Sequence, residues 1–332
     1  MLATLVEEPF DDPQWLYEVK WDGYRAVAFV SDGAARLVSR NQNELTEEFP
    51  EIAQAFASLQ VENAVVDGEV VALDDEGRPS FSLMQQRTGM THPGAQRKRN
   101  TQLPIVYYAF DLLYLNGYNL MAAGLEQRKA LLQQILPADK GFLRYSDHHL
   151  EQGTALYKVA GDKGLEGIVA KLRSGPYVQK RSREWLKIKI TRRQECVIAG
   201  YTDPRGSREN FGSLVLGLYD ERGKLVHVGN AGSGFTASTH AALWKKLEDL
   251  QTEKNPFGEK IVSTRRPHWI KPELVAEIKF SEWTHEGERG GVKMRAPIYQ
   301  GLRMDKKPHE CVFEFPRHTQ SEVRKAEEET VH

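Results

Sequence analysis

The feature that most limits what this chain can become is a change of texture near residue 193. Before it, short β-branched and aromatic runs at 16–19, 26–30, 35–39, 64–73 and 105–115 alternate with Gly, Asp and Asn turns, as strands do. Helices are spaced among them. Thr46 reads as an N-cap for a helix reaching about Leu59, and 126–136 carries Leu131, Leu132, Ile135 and Leu136 on one stripe stopped by Pro137. A further helix spans about 150–163 and ends at Gly164. After 193 the strands at 195–202, 213–219, 224–229, 275–283 and 310–315 enclose one helix, 237–250, a pattern that suits a small Greek-key barrel. The expectation is an α+β chain: a mixed antiparallel-sheet domain with helices over 1–192, a barrel over 193–317 and a flexible charged tail over 318–332. Two basic or Gly/Pro-punctuated segments, 87–100 and 174–184, read as loops.

Composition removes several classes. Of 332 residues 40% are apolar and 27% charged, which excludes wholesale disorder. No apolar run approaches the length of a membrane span, and the mean hydropathy is −0.54. The N-terminus has no basic region ahead of its short apolar stretch, so no secretory signal is expected. Cys196 and Cys311 stand far apart, which fits a reducing cytoplasm rather than a disulfide scaffold or a cysteine zinc site. The net charge of −1 hides a local excess: 171–193 holds nine Lys/Arg against the single acid Glu184. Such a run is most often a solvated face. Its place at the junction of two domains makes it a candidate nucleic-acid contact.

Several short motifs carry chemistry. Lys20-Trp21-Asp22-Gly23-Tyr24-Arg25 reads blandly as a strand end with a D-G turn, and a K-x-D-G arises by accident in roughly one chain in ten of this length. Its functional reading is a nucleophilic lysine, which needs neighbouring cations or burial to shed its proton. In Trp185-Leu186-Lys187-Ile188-Lys189 strict alternation puts both lysines on one strand face. Two ammonium groups there repel unless an anion lies between them, although a lysine-coated edge strand would look the same. Asp67-Gly68-Glu69 and Glu166-Gly167-Ile168-Val169-Ala170-Lys171 set carboxylates at strand ends, where they suit ribose hydroxyls, a divalent metal, or simple turns. Phe110-Asp111-Leu112-Leu113-Tyr114 ends an apolar strand, and Arg303-Met304-Asp305-Lys306 lies in the second domain.

Each is weak alone. In this order, with Ser39-Arg40-Asn41 between the first two, they resemble motifs I, Ia, III, IIIa, IV, V and VI of the covalent nucleotidyltransferases, which include DNA ligases, RNA ligases and capping enzymes. The E-G-I-V-A-K and W-L-K-I-K forms are similar to ATP-dependent DNA ligases. The connecting text resembles the ligase module of the bacterial end-joining ligases, except that Gln42 stands where that family has glycine. Only nineteen residues precede Lys20, too few for the nicotinamide-recognising domain of NAD-dependent ligases, which points to ATP.

The resemblance implies roles. Lys20 would take AMP from ATP. The backbone beside Glu18 and the ring of Phe110 would bind adenine, Arg25 and Glu69 the ribose, and Lys187 and Lys189 the α-phosphate. Glu166 and Asp22 would hold Mg²⁺ or Mn²⁺. Arg40 would serve both nucleotide and the 5′-phosphate of a nick, with Lys180, Arg181 and Arg183 also on DNA. Arg303, Asp305 and Lys306 would orient the leaving pyrophosphate, with the barrel domain moving between steps. Implied partners are nicked or broken duplex DNA, a Ku-type end-binding protein and polymerase or nuclease modules, with the chain a monomer on the bacterial nucleoid and off any membrane. Two other readings stay open. An RNA ligase or guanylyltransferase would be separated by labelled ATP against GTP, and by nicked RNA against nicked DNA. A non-catalytic OB module that binds nucleic acid should have lost some motif residues, and none is missing.

Overall fold

A computed structural model describes residues 1–88, 103–138, 141–204, 210–259, 261, 265–285 and 291–330. Much of the segment expected to loop over 87–100 lies outside them. The chain divides into two compact units. The first comprises Met1–Ser80, Leu103–Ile190 and Phe315–His332, and the second Phe81–Gln102 with Thr191–Glu314.

The first unit runs β1 (Leu2–Leu5), β2 (Trp15–Val19), β3 (Tyr24–Ser31), β4 (Ala34–Ser39), α1 (Pro50–Ala57) and β5 (Asn63–Ala72). After α2 (Phe81–Arg87), which belongs to the second unit, it resumes with β6 (Ile105–Leu115), β7 (Tyr118–Asn119), α3 (Leu125–Ile135), β8 (Leu143–Tyr145), β9 (His148–Leu150), α4 (Gly153–Asp162), β10 (Gly167–Leu172) and β11 (Arg181–Lys189). Two sheets result. One is ordered β1-β11-β10-β2-β9; the other is β4-β3-β5-β6-β7 with β8 on β6. Helix α1 starts later than Thr46 implied. Pro50, whose fixed φ suits a first turn, begins it, while the Thr46 hydroxyl accepts from the Leu37 N–H at 2.9 Å.

The five-stranded sheet is two-faced, and its alternation positions the site. Tyr17 of β2, Ile168 and Ala170 of β10, and Leu186 and Ile188 of β11 bury into one core with Trp15 and Ala160. The residues between them face the other way. Register pairs Glu18 with Val169, Val169 with Lys187, Lys171 with Trp185 and Gly167 with Lys189, so these share the opposite face.

The second unit holds β12 (Arg193–Thr202), β13 (Leu214–Tyr219), β14 (Leu225–Ala231), α5 (Ala237–Asp249), β15 (Gln251–Thr252), β16 (Pro267–Lys279), β17 (Trp283–His285), β18 (Val292–Met294) and β19 (Ile298–Leu302). The order is β14-β13-β12-β16-β15 with β19 on β16, around a core that includes Val197, Leu216, Val228 and Ile278. It is an OB-fold domain, but the expected barrel does not close. Among the described residues β14 and β19 share no ladder. Past β14 the backbone meets β19 at the bridge Ser233–Ile298, where Gly234 (φ +94) turns the chain and the Phe235 ring stacks on Tyr299 at 4.8 Å. Helix α2 packs on β19, with Gln85 Nε2 donating to the Leu302 carbonyl at 3.2 Å.

The tail is a correction. Instead of a flexible 318–332, the first unit ends in α6 (Thr319–Thr330). Val323 and Ala326 bury beside Trp15 and Leu186, Trp15 Nε1 donates to Glu327 at 3.1 Å, and Arg183 meets Glu322 at 2.9 Å and Glu329 at 2.8 Å. A stripe of two small apolar residues three apart suffices because ion pairs and an indole N–H add to it.

Candidate active site

Lys20 follows β2 on the polar face of the five-stranded sheet, its N–H bonded to the Gly167 carbonyl at 2.9 Å. Its ammonium donates to Glu166 Oε2 at 2.5 Å; the lysine side chain is 23% exposed and the glutamate 6%. Burial disfavours the ammonium, yet Glu166, with Glu69 and Asp22 beyond it, pushes its pKa above the ordinary lysine value. From the sequence, neighbouring lysines were expected to lower that pKa. Here the carboxylates win, because Glu166 is in direct contact. Two motif glycines are required by close approach. A Cβ on Gly23 would lie 2.0 Å from the Val70 carbonyl oxygen, and one on Gly167 2.1 Å from that of Ile188.

Lys187 and Lys189 share the face with Lys20, opposite the buried Leu186 and Ile188, as the alternation predicted. Arg25 is tightly engaged. Its Nε and Nη2 bond Asp67 at 3.0 and 2.6 Å, and its Nη1 bonds the Met1 carbonyl at 2.6 Å. Burial opposes ionisation of Asp67, but Arg25 holds its carboxyl below the usual range. Glu69 pairs with Arg25 across β3 and β5.

Phe110 sits at a β-bulge. Pairing steps from Asp67–Asp111 to Gly68–Ala109, which leaves Phe110 without a partner and re-aims its ring. The ring packs in a small cluster with Tyr177 and Trp185. Over it, 4.5 Å from the centroid, lies the Lys171 ammonium, which is also 4.3 Å from the Trp185 ring. Lys171 pairs with Glu18 Oε2 at 3.0 Å, and Glu18 Oε1 accepts from Lys129 at 2.8 Å. All three are buried. Burial works against the Glu18 carboxylate, but the two lysines keep its pKa lowered. Burial, with Lys129 adding to it, lowers Lys171 to about 8.

Asp67 and Lys171 were named in the sequence only as parts of motifs, without a role of their own, and Lys129 and Tyr177 were not singled out. Lys171 closes the E-G-I-V-A-K motif, and alternation from Val169 could have placed it on the polar face. Lys129 sits in an ordinary helix and gave no signal. Glu18 was expected through its backbone; its carboxylate is the better-placed group.

The metal expectation rests on two carboxylates. Among the described residues no three His, Cys, Asp or Glu side chains cluster to hold an ion. Glu166 and Asp22 beside Lys20 fit a hard divalent cation that takes its remaining oxygens from phosphate.

The DNA-contact residues separate. Arg40 is exposed in the turn after β4, and Lys180 is exposed before β11. Arg181 donates to the Ala3 carbonyl at 2.5 Å. Arg183 is held by α6, so the three basic residues do not form one open face. Gln42 adopts φ +63, a left-handed conformation in which glycine is unstrained. In the second unit Arg303 binds both oxygens of Asp305, at 2.8 and 2.7 Å, and Glu277 at 3.1 Å, while Lys306 meets Glu195 at 3.1 Å.

Comparison with known proteins is consistent along the chain. The family model for the ATP dependent DNA ligase domain matches residues 1–189, and that for the ATP dependent DNA ligase C terminal region matches 207–306. The chain is 38% identical over 321 residues to the multifunctional non-homologous end joining protein LigD of Pseudomonas aeruginosa, covering 95% of this chain and 36% of that protein. It is 32% identical over 326 residues to DNA ligase C1 of Mycolicibacterium smegmatis, covering 95% and 92%. A solved structure of mycobacterial DNA ligase D complexed with ATP and MES superposes with a TM-score of 0.64 at 32% identity, covering 94% of this chain and 98% of that one. The chain spans little more than a third of the LigD relative.

Proposed function

The chain belongs to the ATP-dependent DNA ligase family, and on that premise we propose that it seals nicks and breaks in duplex DNA through AMP carried on Lys20, in bacterial end joining. What supports this reading is the shared sheet face: Lys187 and Lys189 lie on the face that Lys20 joins, and Lys20 bonds Glu166, a set that an α-phosphate bound there would engage.

The steps follow from those groups. Lys20 Nζ gives up a proton, with Glu166 Oε2 in reach to take it, and attacks the α-phosphorus of ATP. The bond to the pyrophosphate oxygen breaks as the phosphoramide bond forms. Lys187 and Lys189 neutralise charge spread over the phosphoryl oxygens. A divalent cation, Mg²⁺ or Mn²⁺, held by Glu166 and Asp22 would add positive charge at the same phosphate. A DNA 5′-phosphate oxygen then attacks the same phosphorus, the P–N bond breaks, and Lys20 regains its proton. Finally the 3′-hydroxyl attacks the 5′-phosphate and AMP departs.

Adenine is read as binding at Phe110, beside Lys171 and Glu18. The Lys171 ammonium offers a donor to a ring nitrogen. Glu18 has about four acceptor positions and uses three, on Lys129, Lys171 and Ser146, which leaves one for an exocyclic amine. Guanine reverses both polarities, so the slot selects ATP. Arg25 and Glu69 would take the ribose hydroxyls, Arg25 at the expense of part of its contact with Asp67. Arg40, Lys180 and Arg181 would meet DNA phosphates. The chain acts as a monomer on the nucleoid, and Ku-type, polymerase and nuclease partners accord with the relatives named for end joining. Among the described residues no helix is long and apolar enough to cross a membrane.

The test is a duplex with one 5′-phosphate, 3′-hydroxyl nick, incubated with the protein, Mg²⁺ or Mn²⁺, and ATP or GTP. Sealing with ATP alone, lost in Lys20→Ala, is expected. Binding of the nick without any AMP transfer would leave only a nucleic-acid-binding module.

A further inference from the structure

Helix α3 buries two neighbouring cations, and they are provided for differently. Arg128 is closed: Asp111 takes its Nε and Nη2 at 2.7 and 3.0 Å, and the carbonyls of Ala123 and Gly175 take its Nη1. Lys129 belongs to an open group. Its ammonium donates to Glu18 Oε1 at 2.8 Å and the Ser146 carbonyl at 3.0 Å, and lies 4.4 Å from the Tyr145 ring centroid. Glu18 must also serve Lys171, so two buried ammonium groups share one carboxylate. An unmatched buried charge is unfavourable unless something else supplies an acceptor. Aromatic faces soften that cost at Lys171 without meeting its directed N–H groups, and the polar contact it makes is the 3.0 Å ion pair with Glu18 Oε2.

Lys129 itself is fully engaged and 1% exposed, so it has no surface to offer a ligand. Its effect must pass through Glu18. Glu18 Oε2 accepts from the Ser146 hydroxyl at 2.8 Å, and the Trp21 indole donates to that hydroxyl at 3.0 Å, so the carboxylate is clamped from two sides. We propose that Lys129 is a positioning residue for purine selection: by claiming Glu18 Oε1 it holds Glu18 to a one-oxygen contact with Lys171, at Oε2, so that the remaining N–H groups of Lys171 and the remaining acceptor position of Glu18 are left for the base instead of closing on each other as a two-oxygen pair. Without Lys129 the remaining Glu18 and Lys171 form a balanced pair. The slot then keeps its shape and stacking ring but loses its polar edge. This rests on the adenine slot proposed above, and the test separates the two.

The probe is self-adenylation with ATP against ITP, whose hypoxanthine reverses the same two edge polarities. Lys129→Met is expected to raise KM for ATP about tenfold, leave kcat within about twofold, and lower the ATP-over-ITP preference about tenfold. Lys129→Arg, which keeps the charge, should restore much of that preference. Glu18→Gln should lower it similarly, and Lys129→Met added to Glu18→Gln should change nothing more, because one residue acts through the other. That last comparison leaves no uncompensated carboxylate, so it decides the matter even where Lys129→Met alone does not fold. An unchanged preference in Lys129→Met, or a further loss in the double variant, overturns the positioning role. If Lys171→Met keeps the wild-type preference, the adenine slot itself is wrong.

Discussion

In the first unit one carboxylate, Glu18, serves two buried ammonium groups; in the second, two carboxylates, Asp305 and Glu277, serve the single guanidinium of Arg303. Both assemblies are built from motif residues or their neighbours, yet their charge balance is opposite. The first carries spare positive charge and, on the function proposed above, is organised ahead of its ligand. In the second Arg303 is locked, and burial notwithstanding, it holds Asp305 below the usual carboxylate range. Any work on a pyrophosphate requires Arg303 to leave partners it already has. Charge imbalance, more than burial, distinguishes a waiting site from a closed one.

The closed pair Arg128–Asp111 sets the upper end of what breaking such an assembly does. Both side chains are wholly buried, so Arg128→Met strands a carboxylate and should cost about 3–5 kcal/mol in urea denaturation. Lys171→Met, in the open group, removes surplus charge and should leave the midpoint nearly unchanged. Similar losses in both would erase the distinction between open and closed.

Arg303→Ala should lower self-adenylation about a thousandfold, on the scale of other arginines that stabilise phosphoryl transfer. Sealing of a nick already bearing AMP on its 5′ end should survive, since that step releases no pyrophosphate. Equal loss of both would return Arg303 to folding or DNA binding. Stability should fall as well, because Asp305 and Glu277 would be left facing each other.

A smaller effect comes from pH. Lys171 faces Glu18 from β2, Lys129 from α3 and Asp111 from β6, and burial dominates, lowering it to about 8 against about 10.4 unfolded. Because the folded value is the lower one, charged Lys171 costs stability below about pH 8. That cost is relieved as pH rises toward the unfolded value. ATP binding should move the other way, with KM rising severalfold from about pH 7 to about pH 9 as the ammonium is lost. A KM that stays flat in wild type, or still rises in Lys171→Met, would detach the pH response from this residue.

How much of this was legible in the sequence depends on the range of the contacts involved. The alternation of Trp185 to Lys189 predicts its own geometry, because a strand's two faces are fixed by period two. The motif glycines are equally readable, since K-W-D-G and E-G-I-V-A-K name positions where a Cβ meets a carbonyl. Lys129 was invisible: its partner Glu18 lies 111 residues away, and a lysine in a helix usually faces water. Still longer separations, 139 and 146 residues, hid α6, whose acids found Arg183 only once the chain had returned. Phe110 was half legible, as an aromatic near a strand end, but the bulge that aims it is a property of two strands together.

Gln42 gives the smallest expected effect. Gln42→Gly should relieve its left-handed strain and stabilise by up to about 1 kcal/mol in thermal unfolding, with ATP use unchanged. A loss of adenylation there would tie the Arg40 turn to the nucleotide site.

The central claim is that Lys20, now an ammonium on Glu166, becomes the carrier of AMP. Incubation with ATP and Mg²⁺ or Mn²⁺, followed by peptide mass mapping, tests it directly. AMP on the peptide containing Lys20, with none on Lys20→Ala, is the predicted result. AMP on Lys171, Lys187, Lys189 or any other residue, with Lys20 unmodified, would contradict it.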